Sequence, residues 1–300
     1  MKVPLSPFLG RQRRGSERLV RELSREFPYV SLLASDTGGS RFKARKSETS
    51  LKDSFSVERG FVLRVHDGLG YGELSFNELP PDGPQALCRS LRERVRRSVP
   101  GLEELGLKHA RYPAPGEQPL RRSWQGEVEE LPEAISPREK MDRLLVLREK
   151  AFRLSPRLVE MRLLYEEVRV AKLFLSSQRH LEQAYVWSQG YLVPYLREGD
   201  ETRYLFRSFS GQKGPELLAE MEAALEETLS EAQLLLGAGT VEPGEYEVIL
   251  SPDVAGLLAH EAFGHGVEMD LFVKGRARAA AYLGRRIASP LVGMRDGAHR

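Results

Sequence analysis

The sequence has little of what several classes of protein require. Its single cysteine, Cys88, cannot form an internal disulfide, which favours a reducing compartment. No stretch approaches the roughly 20 apolar residues of a membrane-spanning helix, and the basic residues near Met1 precede no apolar segment of the kind found in secretion signals. We therefore predict a cytoplasmic protein with no membrane partner.

The chain also lacks an excess of charge of either sign. Lys and Arg number 45 against 43 Asp and Glu, for a net charge of +2, which gives no support for a nucleic-acid partner. With 41% hydrophobic and 29% charged residues, the composition is typical of a globular protein rather than a disordered or fibrous one. A length of 300 residues suggests about two domains.

Helical and strand patterns alternate along the chain. Helical spacing predicts helices at about 16–27, 84–98 and 215–236, and another that begins at the capping sequence Ser136-Pro137. Short segments rich in aromatic and β-branched residues predict strands at Tyr29–Ala34, Arg41–Arg45, Ser54–Glu58, Phe61–His66, Tyr71–Phe76, Leu158–Glu167, Arg169–Ser176, Glu182–Trp187, Tyr191–Leu196, Thr202–Ser208 and Tyr246–Leu250. Turn residues such as Gly38-Gly39 and Gly190 separate several of them.

This order predicts an α+β fold with two helix-plus-antiparallel-sheet domains, followed by the start of a catalytic region with a metal-binding helix. We place the first domain at 1–110, a Pro-rich linker at 111–135, the second domain at 136–240 and the catalytic region at 241–300. Aromatic residues alternate along one predicted strand pair, at Tyr185, Trp187, Tyr191 and Tyr195. They could line a peptide channel, but core packing is the default interpretation.

The chemistry lies on a helix predicted to start at Ser251-Pro252-Asp253, with a hydroxyl cap and a proline in its first turn. This helix carries His260, Glu261 and His265. Metallopeptidase helices usually space their two histidines four residues apart, whereas a spacing of five places them about 140° apart on an ideal α-helix. We therefore expect a π-type turn, made inexpensive by Gly264 and Gly266.

Such a turn would let His260 and His265 bind zinc as neutral imidazoles. Glu261 would then act as the general base that activates a water molecule for hydrolysis of a carbonyl bond. Glu268 and Asp270 follow closely, and we expect each either to orient an imidazole or to be a solvated acid. The alternative for the histidines is an ordinary role at the surface or at a helix end.

The stretch His260-Glu261-Ala262-Phe263-Gly264-His265-Gly266-Val267-Glu268-Met269-Asp270 resembles the signature of the TldD/PmbA metallopeptidases. The segments 60–65, 70–72, 282–284 and 288–292 are similar to other parts of that family. The resemblance implies a cytoplasmic zinc peptidase that cuts flexible peptides as a dimer or as a hetero-oligomer with a metal-free sister subunit. Because both histidines and Glu261 are present, the chain resembles the catalytic subunit.

The family's third protein ligand is a cysteine nearer the C-terminus, and no cysteine follows Cys88 in this sequence. Either the chain is a fragment, which we favour, or a carboxylate such as Glu268 or Asp270 completes the site. The alternative function is a non-catalytic subunit that binds peptides or a partner and has an incomplete metal site. The sequence does not identify the peptide substrate, its cleavage preference or the oligomeric state.

Overall fold

The computed structural model describes residues 1–54, 56–68, 70–79, 89–90, 93 and 114–295. The chain forms two compact units, Met1–Gly239 and Thr240–Arg300. The first unit opens with helix α1 (Pro7–Leu23), where the hydroxyl of Ser6 accepts a hydrogen bond from the Leu9 N–H and Pro7 lies in the first turn. The helix thus begins earlier than predicted, because the cap is Ser6 rather than Ser16.

The strands of the first unit form one sheet. They are β1 (Tyr29–Ala44), β2 (Thr49–Asp53), β3 (Glu58–His66), β4 (Tyr71–Phe76), β5 (Leu120–Gln125), β6 (Leu158–Ser176), β7 (Arg179–Glu198), β8 (Glu201–Tyr204) and β9 (Arg207–Gly211). The order is β4-β3-β1-β6-β7-β5, with β2 beside β1 and both β8 and β9 beside β7. Every pairing is antiparallel except β5 with β7.

The α+β class is confirmed, but the structure does not keep the expected two sheets apart. Strand β1 pairs with β6 from Ser31 opposite Ser176 to Ala44 opposite Leu163, and this ladder joins the two halves into one sheet. The predicted linker contains strand β5. This strand was not predicted, because the many proline and glycine residues around it indicate a linker. The division between the two units, after Gly239, falls close to the predicted start of the catalytic region.

Two glycines predicted to mark turns lie inside continuous strands. A side chain at Gly39 of β1 would overlap the backbone oxygen of Glu167 on β6. One at Gly190 of β7 would lie 2.6 Å from the Met221 sulfur and 3.0 Å from the Leu164 oxygen. These glycines permit close approach of neighbouring backbone and helix rather than a reversal of the chain. The predicted pairs of short strands are therefore single long strands in β1, β6 and β7.

The remaining helices of this unit are α2 (Pro137–Leu154), α3 (Leu217–Ala223) and α4 (Leu225–Leu236), with a 3-10 turn at Pro132–Ala134. The predicted cap of α2 is present, since Ser136 accepts a hydrogen bond of 3.1 Å from the Glu139 N–H. The single helix predicted at 215–236 is divided at Ala224, and Met221 and Leu225 on either side of the division are both buried. The helix predicted at 84–98 lies almost entirely outside the described residues.

Both helical layers cover the same face of the sheet. Helix α1 packs on a cluster that includes Val30 and Leu32 of β1, and α2, α3 and α4 pack on a second cluster that includes Phe42 and Ala44 of the same strand. Side chains of equal parity along a strand point to one face. Odd-numbered residues of β7, such as Trp187, therefore belong to the opposite face, which these helices do not cover.

A buried ion pair links α2 to the sheet. The ammonium of Lys140 lies 2.5 Å from Glu167 Oε1 and 2.7 Å from the carbonyl oxygen of Pro132. The other carboxylate oxygen accepts a hydrogen bond of 2.8 Å from the Tyr165 hydroxyl. Burial raises the pKa of Glu167, and contact with Lys140 opposes that rise.

The second unit contains α5 (Pro252–Ala262), a 3-10 turn at Gly264–Val267, α6 (Met269–Val273) and another 3-10 turn at Arg278–Tyr282. The strand predicted at Tyr246–Leu250 is wrong, because this segment has no paired strand and its residues are exposed. A strand requires a neighbour for its backbone hydrogen bonds, and residues 240–295 provide none. In the described ranges, no helix has both the length and the apolar character needed to cross a membrane.

Candidate metal centre

Helix α5 positions the first two residues of the site. It begins after Ser251, whose backbone oxygen accepts a hydrogen bond of 2.9 Å from the Ala255 N–H, with Pro252 in the first turn. The predicted cap by the Ser251 hydroxyl is not formed. The helix brings His260 and Glu261 to its last turn and ends at Ala262, because Phe263 leaves the helical conformation with φ −143° and ψ −26°.

The break after Ala262 brings the two histidines together. The chain continues as a 3-10 turn at Gly264–Val267, and the imidazole centroids of His260 and His265 are 4.4 Å apart with an interplanar angle of 62°. The predicted π-type turn is wrong: the helix stops and the next turn tightens instead of widening. A break serves the same purpose, since it removes the 140° separation that a regular helix would impose.

Glu261 lies close to both imidazoles. Its Oε2 atom lies 3.6 Å from His265 Nε2, and one ligand atom from each of His260, Glu261 and His265 lies within 4.8 Å of the other two. All three side chains are exposed to solvent. Within the described ranges, this is the one group of histidine, cysteine and acidic residues close enough to share a metal ion.

The two glycines beside His265 differ in what surrounds them. A side chain at Gly264 would place its Cβ 3.2 Å from His260 Nδ1 and 3.4 Å from the Met294 methyl carbon. A side chain at Gly266 would meet no atom within 4 Å. Gly264 is therefore the glycine that the close approach of the His260 ring requires.

The two acidic residues after the histidines also differ. Glu268 Oε1 lies 2.8 Å from His265 Nδ1, and this hydrogen bond, together with the carboxylate charge, raises the pKa of His265. Asp270 lies 2.9 Å from the Lys274 ammonium, which lowers the pKa of Asp270. Only Glu268, then, is in a position to orient a histidine of the cluster.

The donor set fits a zinc ion. Imidazole nitrogens and carboxylate oxygens are ligands that zinc accepts in proteins, at about 2.0–2.2 Å. Two such donors on a tetrahedral ion are about 3.4 Å apart. Because the donor atoms here lie within 4.8 Å of one another, small side-chain rotations would bring them to that spacing. The hydrogen bond from Glu268 suits a ligand histidine, whose second ring nitrogen usually has a carboxylate or carbonyl partner.

Comparisons with known proteins identify relatives of this chain. Residues 243–300 match the PmbA/TldA metallopeptidase C-terminal domain. A metalloprotease of Methanothermobacter thermautotrophicus is 29% identical over 128 residues, which are 42% of this chain and 28% of that protein. Metalloprotease MJ0996 of Methanocaldococcus jannaschii is 38% identical over 72 residues, 24% of this chain and 16% of that protein.

The fold has a solved counterpart as well. The crystal structure of a protein described as a candidate modulator of DNA gyrase, from Bacteroides thetaiotaomicron, superposes with a TM-score of 0.62. It is 16% identical and covers 87% of this chain and 57% of its own length. The present chain thus spans only part of the relatives that it matches, 28% and 16% of the two metalloproteases.

The C-terminal segment, residues 243–300, is thus similar to the C-terminal domain of the PmbA/TldA metallopeptidases. The curated relatives of the chain are metalloproteases of two archaea.

Proposed function

We propose that this chain contributes the metal-binding helix of a zinc-dependent peptidase that hydrolyses flexible peptides, as the catalytic rather than the metal-free subunit. The observation that supports the proposal is the convergence of His260, Glu261 and His265 within 4.8 Å, at a spacing that a regular helix would not bring together. The metalloprotease relatives support the same class of reaction.

Each residue of the cluster has a distinct role in this proposal. Glu268 accepts a hydrogen bond from the Nδ1–H of His265, which leaves Nε2 of that ring to bind the metal. His260 supplies the second imidazole. Bound zinc would polarise the scissile carbonyl and make the attacking water more acidic. Glu261 accepts the proton of that water and passes it to the leaving amine. The exposed position of the cluster leaves room for an extended peptide.

Glu261 can also be a third ligand instead of a base. In the described part of the chain, the cluster holds no third protein ligand besides Glu261. If Glu261 bound the ion directly, it would be unable to accept the proton of the water. This observation favours the second candidate function, a non-catalytic subunit that binds peptides or a partner and has an incomplete metal site.

A comparison of wild type with Glu261→Gln separates the two functions. Zinc content and cleavage of a flexible, unstructured peptide are measured on the same samples. If Glu261 is the base, the variant keeps its zinc and loses about 10²- to 10⁴-fold in cleavage rate, because the amide cannot accept a proton. Loss of zinc together with negligible cleavage in both proteins would instead identify Glu261 as a ligand of a non-catalytic site.

Two histidine variants serve as the matched pair for metal content. His260→Ala is expected to lose zinc, because one of the two imidazoles is removed. His180→Ala removes a histidine on β7 that contacts Glu17 and lies outside the metal cluster, so its zinc content should equal that of wild type. Equal zinc in all three proteins would contradict the proposed ligands.

Assembly and location complete the proposal. We propose that the protein acts in the cytoplasm as a dimer or with a metal-free sister subunit. In support, the second unit exposes large apolar side chains on α5, among them Leu257 and Leu258, which an isolated soluble unit would normally bury. Sedimentation of the purified protein, alone and mixed with a metal-free relative, tests the assembly; a monomer in both samples would contradict it.

A further inference from the structure

Aromatic side chains line the sheet face opposite to the one that helices α1 to α4 cover. The aromatic stripe, as we call it, consists of Trp124, Tyr185, Trp187, Tyr191, Tyr195, Tyr204 and Phe206. Trp124 and Trp187 are each 38% exposed, and Tyr204 and Phe206 each 58%. Among described residues 1–239, these four are the exposed aromatic side chains, and all of them lie on β7 or on the segments beside it. Core packing, the default interpretation of the alternating pattern, is therefore wrong for this stripe.

The aromatic rings are held in place by their neighbours. Trp124 lies 6.0 Å from Tyr185, Tyr191 lies 5.5 Å from Phe206, and Tyr195 stacks on Tyr204 at 5.2 Å. Cross-strand aromatic pairs of this kind stiffen the side chains that they join. The stripe thus presents a preformed apolar surface, which costs a ligand little ordering energy.

Two hollows lie along the stripe, one at its Trp124 end and one beside Tyr191. The first, of about 510 Å³, is lined by Trp124, Arg122, Lys172, Glu182 and apolar residues that include Phe174, and Glu182 is bonded to Arg13. The second, of about 400 Å³, is lined by residues that include Tyr191, Phe206, Lys43, Arg41 and Glu166. From Tyr185 to Tyr195 the strand extends about 33 Å, which matches an extended peptide of about ten residues. From Gln183 at the first hollow to Tyr191 at the second, β7 extends about 26 Å, so one such peptide can reach both hollows.

Both hollows have more cations than anions in their lining. Arg122 and Lys172 line the first hollow and Lys43 the second, and these three form no ion pair with a described residue. The guanidinium of Arg162 lies 4.6 Å from the Tyr195 ring centre. Glu166 and Arg41 also line the second hollow, where they lie opposite each other in the strand register, and Glu166 accepts a hydrogen bond of 2.6 Å from Gln189. The residues of the stripe between the two hollows, Tyr185 and Trp187, are uncharged.

We infer that the aromatic stripe is a docking surface for an extended peptide segment with acidic ends and an apolar middle. Such a peptide places its carboxylates beside the unpaired cations and its apolar side chains on the rings. A single nucleic-acid strand has a negative charge at every nucleotide, so it would also place charge on the uncharged part of the stripe. Its bases would need free ring faces for stacking, and six rings of the stripe already contact each other in three pairs. The charge pattern thus favours the peptide, and this docking does not depend on the metal site.

Intrinsic fluorescence tests the inference, because both tryptophans of the chain lie on the stripe. The 300-residue chain, treated with a chelator, is titrated with a synthetic peptide of about ten residues that lacks tryptophan and has two glutamates at each end of an apolar middle. We expect a saturable change in tryptophan emission, with an affinity that falls as salt is added. The peptide in which lysines replace the glutamates should cause no change. Removal of metal makes the result independent of the proposed peptidase function.

Charge-reversed variants identify the surface. The double variant Lys43→Glu with Lys172→Glu should weaken peptide binding at least about tenfold, because two attractions become repulsions. Arg14→Glu, an exposed position on α1 on the opposite side of the sheet, should bind like wild type. Circular dichroism of each variant verifies folding. Equal binding by the double variant and wild type, or tighter binding of a thymidine strand than of the peptide at about 0.15 M salt, would overturn the inference.

Discussion

The two charged clusters of this protein are held by different means. Lys140 and Glu167 are buried between α2 and the sheet, where several elements surround them. His260, Glu261 and His265 are exposed, and they converge because of a local break in the backbone and one hydrogen bond from Glu268. A charge inside a core has no contact with water and is stabilised by the opposite charge beside it. Metal binding at an exposed cluster depends instead on the local positions of its side chains. Substitutions should therefore affect folding in the first cluster and ligand binding in the second.

The largest effect is expected when the buried pair is broken. Lys140→Met leaves the carboxylate of Glu167 without its cation, which should lower the free energy of unfolding by about 3–5 kcal/mol. The double variant Lys140→Met with Glu167→Gln should recover part of this loss, because no charge is then buried. Denaturant unfolding measures both values. Equal stability of Lys140→Met and wild type would remove the contrast between the two clusters.

The same variant should become less stable as pH rises. Burial raises the pKa of Glu167, and removal of Lys140 takes away the contact that opposes this rise. For a group whose pKa is raised in the folded state, stability is full below the pKa of the unfolded chain and is lost as pH rises through the folded value. Unfolding of Lys140→Met at about pH 5 and pH 8 should therefore show the larger defect at pH 8. A defect that is larger at pH 5 would contradict the assigned cause.

The next effect tests close packing in the sheet. Gly39→Ala forces a side chain against the backbone of Glu167, so we expect a loss of about 3 kcal/mol in the free energy of unfolding. Gly38→Ala is the matched control, since a side chain there meets no atom within 4 Å. Thermal or denaturant unfolding of the pair should show the larger loss at Gly39. Similar losses in both would mean that strand geometry, and not contact with β6, accounts for the effect.

Substitution beside the metal site should leave folding unchanged and weaken zinc binding. Glu268→Gln removes the carboxylate that holds His265 Nδ1, and zinc affinity should fall about tenfold or more. Asp270→Asn, which alters a carboxylate paired with Lys274, should keep wild-type affinity. Competition with a fluorescent chelator measures both constants. A greater loss for Asp270→Asn than for Glu268→Gln would overturn the assigned role of Glu268.

The smallest effect concerns the glycine under His260. Gly264→Ala brings a methyl group 3.2 Å from the imidazole, a distance that a slight ring movement relieves, so zinc affinity should fall by less than about tenfold. Gly266→Ala has open space and should bind as wild type does. The same chelator competition applies to both variants. If Gly266→Ala had the greater effect, backbone conformation and not ring contact would control the site.

Sequence patterns predicted local features well and the extent of strands poorly. The cap at Ser136 and the helix that carries His260 depend on residues within a few positions of each other, and both are present. The continuity of β1 through Gly39 depends on Glu167, which is distant in sequence and whose backbone needs the space that a glycine leaves. Local propensity indicates a turn there, and long-range pairing overrides it.

The metal site shows the same division within a few residues. The sequence placed His260, Glu261 and His265 together as a cluster and predicted that a regular helix must be interrupted between them. The predicted form of the interruption, a π-type turn, was wrong, because a break into a 3-10 turn also brings the rings together. The sequence also did not predict which of Glu268 and Asp270 contacts a histidine, since the same two roles were open to both. In the structure Glu268 contacts His265 and Asp270 contacts Lys274.

By itself, the sequence determined the α+β class, the cap of α2 at Ser136, and the grouping of His260, Glu261 and His265 in one cluster. Tertiary structure decided that the strands form one sheet, that helices α1 to α4 cover one of its faces, and that four aromatic residues of the stripe are exposed on the other. The reason is that caps and motifs depend on neighbours along the chain, whereas strand pairing and burial depend on residues that meet only after folding.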